Sequence, residues 1–280
     1  GEKVWLEGCN QKLTCGLIIN NKRHVVIEGF HMRNYGSIGG GAISINGGSD
    51  ISIRKVFYDG RSPIYTPPPV SARMTHRLSV SNVFYTRGFH GLVFYQCPDL
   101  EVSHCVSYIS QIGAITVRNL PSQKAYLHHN LLFDGILQKI RVAPFNVSYL
   151  EPITEEYNCV YPRIPGEFKA FIQPSRLADN TVNNKSFTLR EYEQLIGRKS
   201  TSFFANPDVP ALPEIISFSS LEDWEKRWTS LGKEHQELEY KKISAKEFAP
   251  FEAADFFPRN PACQKSVDGK PIGLDPEAWK

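Results

Sequence analysis

One short phrase recurs through the first half of the chain: an aliphatic-x-aliphatic triplet, a small or polar residue, then a second apolar run. Its copies are Val25-Val26-Ile27-Glu28-Gly29-Phe30, Ile51-Ser52-Ile53-Arg54-Lys55-Val56-Phe57-Tyr58 and Leu78-Ser79-Val80-Ser81-Asn82-Val83-Phe84-Tyr85. Leu100-Glu101-Val102-Ser103-His104-Cys105-Val106 and Ala125-Tyr126-Leu127-His128-His129-Asn130-Leu131-Leu132-Phe133 continue it. From Ile27 to Ile53, Val80, Val102 and Leu127 the intervals are about 26, 27, 22 and 25 residues. A period in this range marks a stacked solenoid, because one such unit cannot bury its apolar face alone. Each unit of a solenoid touches only its neighbours, so function must sit on a lateral face built from successive coils.

The pattern within each unit selects the kind of solenoid. Apolar and polar residues alternate, and the apolar ones are β-branched or aromatic, which describes short strands. A second alternating segment follows in most units: Ala42-Ile43-Ser44-Ile45-Asn46, Leu92-Val93-Phe94-Tyr95-Gln96 and Ala114-Ile115-Thr116-Val117-Arg118. Gly41, Gly91 and Gly113 precede these segments, and Gly135 precedes a looser one, so each corner is expected to turn with positive φ. A leucine-rich repeat would need a fixed leucine and asparagine frame, and a sandwich would need hairpin dipeptides. The expected fold is all-β, a parallel β-helix over residues 1–145. Residues 146–280 form an irregular, partly helical region that packs on the β-helix and caps it, with room for one or two further irregular coils.

Two helices are expected in that second part. Thr188 with Glu191 makes a capping box for one that ends at Gly197, and Ser220 with Asp223 makes a second that carries Trp224 and Trp228 on one face. The net charge of +3 and the lack of a basic run argue against a nucleic-acid partner. No apolar stretch reaches the length of a membrane span. The six cysteines have no zinc-like spacing; Cys9 and Cys15 could bridge a loop, and Cys105 falls in a core column.

Superposing the glycine-initiated segments puts Ile43, Val93 and Ile115 in one inward column and Ile45, Tyr95 and Val117 in the next. Ser44, Phe94 and Thr116 then face outward, as do Asn46, Gln96 and Arg118. The turns before these strands carry Asp59-Gly60-Arg61, Arg87-Gly88-Phe89-His90, Gln111 and Asp134, and Lys139 follows nearby. Together they line one edge of a shallow groove. Plainer roles exist for the same residues: His90 beside Gly91 and the pair Asp59-Gly60 suit turns, and Arg118 and Lys139 suit a solvated edge. Alternation also places His128 and His129 on opposite faces, so no metal is assigned there, and Asn130 falls in the core column, where an inward asparagine satisfies turn backbone.

The opening phrase Gly-Glu-Lys-Val-Trp-Leu-Glu-Gly at residues 1–8, His24 to Phe30, and His128-His129-Asn130-Leu131-Leu132-Phe133-Asp134 resemble right-handed β-helix proteins of the pectate-lyase-like superfamily. The stretch Ala254-Asp255-Phe256-Phe257-Pro258-Arg259-Asn260-Pro261-Ala262, followed by Asp268-Gly269 and Ile272-Gly273, is similar to a closing segment of secreted bacterial members. In such proteins the opening phrase sits inside the stack, which leads to the expectation of missing upstream coils or a companion chain. The resemblance implies a secreted, periplasmic or surface location and a polysaccharide bound along the groove. It does not by itself choose an activity.

Magnitudes bear on that choice. Asp59 and Asp134 stand about three coils apart, roughly 14 Å at the spacing of strands in a sheet. A glycosidase needs its two carboxyls about 5 to 9.5 Å apart. A lyase acting on an acidic, uronate-containing glycan needs a base and a cation that neutralises the uronate carboxylate. His90, Arg87, Asp59 and Asp134 are therefore the expected catalytic residues. Arg61, Phe94, Gln96, Arg118, Lys139 and Asn46 are the expected substrate contacts. The alternatives are a glycoside hydrolase of the same fold and a non-catalytic surface or structural subunit. The residues alone assign no cofactor; calcium at Asp59 or Asp134 is what the resemblance to lyases would add, without a dense carboxylate cluster to hold it.

Overall fold

A computed structural model describes residues 5–8, 13, 15–33, 35, 41–60, 67–133, 135–137, 140–161, 169–176, 182–210 and 252–279. Within the strands, the side chains of residues 87–89, 109–112, 135–137, 140–142, 175–176 and 182–184 lie outside this description. The expected second helix, with Trp224 and Trp228, falls outside the described residues.

The chain winds into a parallel β-solenoid with three faces. Successive coils span residues 17–33, 43–59, 70–86, 92–108, 115–133 and 145–161, and equivalent segments pair in parallel. On the first face, residues 17–20, 43–46, 70–73, 92–95, 115–118 and 145–147 stack in order. The second face stacks 25–28, 51–54, 78–81, 100–103, 125–128 and 153–156. The third stacks 5–7, 31–33, 57–59, 84–86, 106–108, 131–133, 159–161 and 203–204. Because neighbouring coils are sheet partners, each inward residue lies over its equivalent and forms a column. Ile53, Val80, Val102 and Leu127 make one column, entirely shielded from solvent.

The coils turn between the second and third faces through a single left-handed residue. Gly29, Lys55, Asn82, His104, His129 and Tyr157 all have φ between 51° and 78° there. Left-handed backbone is accessible to asparagine and glycine at little cost and strains other residues; here the stacked coils hold it in place. Just inside the same corner, Asn130 accepts from the Cys105 amide at 3.0 Å and donates to the Val102 carbonyl at 3.0 Å. Asn158 repeats this one coil on, bonding the Asn130 amide and the Leu127 carbonyl. The inward asparagine does what its column required.

Four features depart from the sequence reading. The segment Val70–Arg73 forms a coil of the first face, hidden in the sequence behind Pro67, Pro68 and Pro69. Leu92, not Val93, pairs with Ile115, across a register irregularity between His90 and Leu92. Phe94 is consequently inward and fully buried while Tyr95 is outward and 38 % exposed. Of the three corner glycines only Gly113 has positive φ. Gly41 and Gly91 are needed for close approach instead, since a Cβ on Gly91 would lie 1.8 Å from the Ala114 carbonyl oxygen.

One end and one lateral face of the stack are covered. Past residue 145 the coil 145–161 continues in register, and the hairpin of Phe171–Arg176 with Val182–Phe187 adds to its first face. Helix α1 (Leu189–Ile196) then lies over the last coil. Its Thr188 capping box and left-handed Gly197 are as expected, and Tyr192 stacks on Phe171 at 4.1 Å. The C-terminal segment 252–279 covers the third face. Outward Phe57 and Phe84 form an aromatic ladder there, closed by Phe256 at 4.3 Å from Phe84. Among the described residues no helix is long and apolar enough to cross a membrane.

Candidate functional site

The outer surface of the first face carries a register ladder: Asn20, Asn46, Arg73, Tyr95 and Arg118 occupy equivalent positions on five successive coils. It runs for roughly 19 Å at strand spacing. All but the half-buried Arg118 are exposed. The Arg73 guanidinium sits 5.0 Å from the Tyr95 ring centroid, within cation–π range. Arg118 donates from Nη2 to the Asn146 side chain at 2.8 Å, and its Nη1 is shielded with no hydrogen-bond partner among the described residues. Burial works against its charge, yet a guanidinium remains ionised in proteins.

Of the expected residues, Asn46 and Arg118 stand on this ladder, and Gln96 is exposed at the corner beside it, with φ of 52°. Phe94 is removed from the substrate surface, because the one-residue slip turned it into the core; Tyr95 takes its outward place. His90 lies two residues before the first-face segment 92–95 and is mostly buried. Burial lowers its pKa below the usual histidine range, and the Arg118 charge lowers it further. The ring is therefore neutral at neutral pH, the form in which it can accept a proton. Asp59 is 5 % exposed on the third face, in register with Arg33 and Thr86. Arg61, Asp134, Lys139 and the Arg87 side chain lie outside the described residues. Arg73 and Tyr95 were missed: one sits in the hidden coil, the other was assigned inward.

A second constellation gathers where the second face meets the third. His104 and His129 are consecutive left-handed corner residues, and their rings stack at 5.1 Å and 10°. Tyr157 continues the stack at 5.2 Å. The C-terminal segment crosses this corner: Asp275 N donates to Asn82 Oδ1 at 2.8 Å and Gly273 N to the His129 carbonyl at 2.7 Å. A side chain on Gly273 would meet Leu131 at 3.0 Å. The crossing brings Asp268 onto the histidines, with His104 Nε2 3.1 Å from Oδ2 and His129 Nε2 3.7 Å from Oδ1.

His128 completes the group from the second face. Its Nδ1 is 2.6 Å from His129 Nδ1 and its Nε2 is 3.0 Å from Glu101 Oε1. Tyr126 stacks on its ring at 4.0 Å and donates to Glu156. The alternation that set His128 and His129 on opposite faces fails because His129 is not a strand residue: the left-handed corner swings its ring round to its neighbour. The signal was present in the repeat, since position +2 from Ile27, Ile53, Val80, Val102 and Leu127 is Gly29, Lys55, Asn82, His104 and His129. Among the described residues this is the group of three potential metal-ligating side chains that converge; none forms around Asp59, where calcium was considered.

The chain matches no protein-family model, no curated protein and no solved structure. The parallel solenoid therefore stands on its own geometry.

Proposed function

We propose that the first face binds an extended acidic glycan, and that His90 with Arg118 performs β-elimination on it. The observation that carries this reading is the in-register run Arg73–Tyr95–Arg118 beside a neutral imidazole whose electrostatics are coupled to Arg118. Tyr95 offers an exposed ring to a sugar face. Arg73 and Arg118 are two cations two coils apart, roughly 10 Å, suited to carboxylates along one chain. In the reacting unit Arg118 neutralises a uronate carboxylate, which acidifies the adjacent C–H. That proton passes to His90, its electron pair forms a carbon–carbon double bond, and the bond to the glycosidic oxygen on the β carbon breaks. The leaving oxygen takes a proton from solvent. A polysaccharide substrate places the protein outside the cell or at its surface, in keeping with the pectate-lyase-like resemblance.

The test follows the ultraviolet absorbance of unsaturated product over a panel of uronate polysaccharides, with reducing ends measured in parallel. Activity is expected to fall about 100-fold or more in His90→Ala, with circular dichroism and melting unchanged. Arg73→Ala should raise KM and leave kcat intact, because it holds ground and transition states alike. Wild-type silence with no measurable glycan binding sinks the reading; new reducing ends without unsaturation replace elimination with hydrolysis.

A further inference from the structure

The hydrogen-bond network at the histidine corner constrains where the ring protons lie, and the constraint leaves room for a cation. His104 Nδ1 faces two backbone carbonyls, Pro271 at 3.1 Å and Gly273 at 3.2 Å. Carbonyl oxygens only accept, so Nδ1 carries a proton; Nε2 faces a second acceptor, the Asp268 carboxylate at 3.1 Å, so either a second ring proton or a cation lies between Nε2 and the carboxylate. His128 Nε2 faces the Glu101 carboxylate and must donate, which leaves His128 Nδ1 as acceptor for the proton on His129 Nδ1. With one proton on its ring, His129 Nε2 presents a bare lone pair. That atom is shielded from solvent and has no hydrogen-bond partner among the described residues, on a side chain only 5 % exposed. Both Nε2 atoms converge on the Asp268 carboxylate, and the three ligand atoms lie within 4.8 Å of one another. Three such atoms turned toward one point, two of them on buried rings, need a positive charge between them, a proton or a cation.

We propose that His104 Nε2, His129 Nε2 and Asp268 bind one divalent transition-metal ion, zinc by ligand character, which clips segment 268–275 to the corner of the solenoid. Metal–ligand distances of about 2.0–2.1 Å in a tetrahedron put ligand atoms about 3.3 Å apart. His104 Nε2 stands 3.1 Å from Asp268 Oδ2 and His129 Nε2 3.7 Å from Oδ1, and with one ligand atom per residue all separations are within 4.8 Å, so small side-chain rotations close the tetrahedron. Two imidazoles and a carboxylate suit zinc rather than calcium, which takes oxygen ligands, and the partly exposed Asp268 leaves a fourth position for water. Partners that hold a ligand's far nitrogen orient metal-bound histidines generally; here the Pro271 and Gly273 carbonyls do so for His104, and the His128–Glu101 pair does so for His129.

The experiment titrates the full, chelator-stripped chain with Co2+ and then Zn2+, following the visible bands of four-coordinate cobalt and the melting temperature. One Co2+ per chain, displaced by Zn2+, with a raised Tm, is the expected result. Asp268→Ala, in a partly exposed turn, should keep its fold by circular dichroism and bind at least 100-fold more weakly. Glu101→Gln, whose carboxylate bonds His128 and is not one of the three ligands, should cost about 10- to 100-fold. His24→Ala, at an exposed histidine, should change nothing. The proposal is overturned if the wild type binds no cobalt at micromolar concentration, which would leave a simple His104–Asp268 ion pair. It is equally overturned if binding survives Asp268→Ala, which would mean that other histidines hold the ion.

Discussion

Asn130 shows how much one buried polar side chain does in a solenoid corner. Its carbonyl oxygen is the acceptor for the Cys105 amide, and its amide group ties the Val102 carbonyl of the coil before to Asn158 of the coil after. Truncation leaves the Cys105 amide buried without an acceptor, so Asn130→Ala should cost about 2–3 kcal/mol, measured by urea unfolding. Glu155 carries a different consequence. It occupies the inward column of Val102 and Leu127, is 2 % exposed, and accepts from Ser202. Burial raises its pKa, opposed by Ser200, Ser202 and Arg198. The folded state therefore holds the Glu155 proton more tightly than the unfolded chain, whose glutamates titrate near about 4.3. This contribution to stability is complete below the unfolded value and is lost as pH rises through the folded one. Glu155→Gln should melt higher than wild type at neutral pH, with the gain shrinking to nothing under acid; an equal gain at every pH would refute it. The inward asparagine was legible because its column and its chemistry agree. Glu155 was not, because an acid at a core position contradicts the alternation that defines the strand.

At the scale of elements, legibility divides along local against non-local forces. Helix α1 was readable to the residue, since Thr188, Glu191 and Gly197 act on backbone within a few positions of themselves. The slip at Leu92 was not, because the number of residues in a turn sets register, and a shift by one turns every following side chain over. Gly41-Ala42-Ile43 and Gly113-Ala114-Ile115 carry one residue between glycine and core position, and Gly91-Leu92 carries none. The orientation of His129 escaped for a related reason: strand alternation does not extend through a left-handed corner. These two glycine roles predict different costs. Gly197 has φ of 70° and open space around it, so Gly197→Ala should cost only the left-handed penalty of about 1–2 kcal/mol. Gly91→Ala would drive a methyl into the Ala114 carbonyl at 1.8 Å and force two first-face coils apart. It should cost more than about 4 kcal/mol, and chemical denaturation of the two variants side by side checks the order.

The whole molecule combines a repetitive stack with a non-repetitive strap, and the two obey different thermodynamics. In a solenoid each coil stabilises its neighbours, and the stack behaves as a one-dimensional array. Segment 252–279 instead gains its stability from one lateral face, where Phe256 is fully buried between Phe84 at 4.3 Å and Tyr108 at 5.1 Å. The repeat announced the stack. Which face the tail would cover was not legible, because nothing periodic in the tail registers against the aromatic ladder of Phe57 and Phe84. That separation predicts separable opening. Phe256→Ala removes a large buried ring, worth about 3–5 kcal/mol in a core, from a segment that contributes no strand to the coils it covers. Amide hydrogen exchange should therefore accelerate across 252–279 and along the outward third face while protection in Val80, Val102 and Leu127 of the central coils stays at its wild-type level. Uniform acceleration through all coils would show instead that the strap is part of the folding unit, and that the stack is not stable without it.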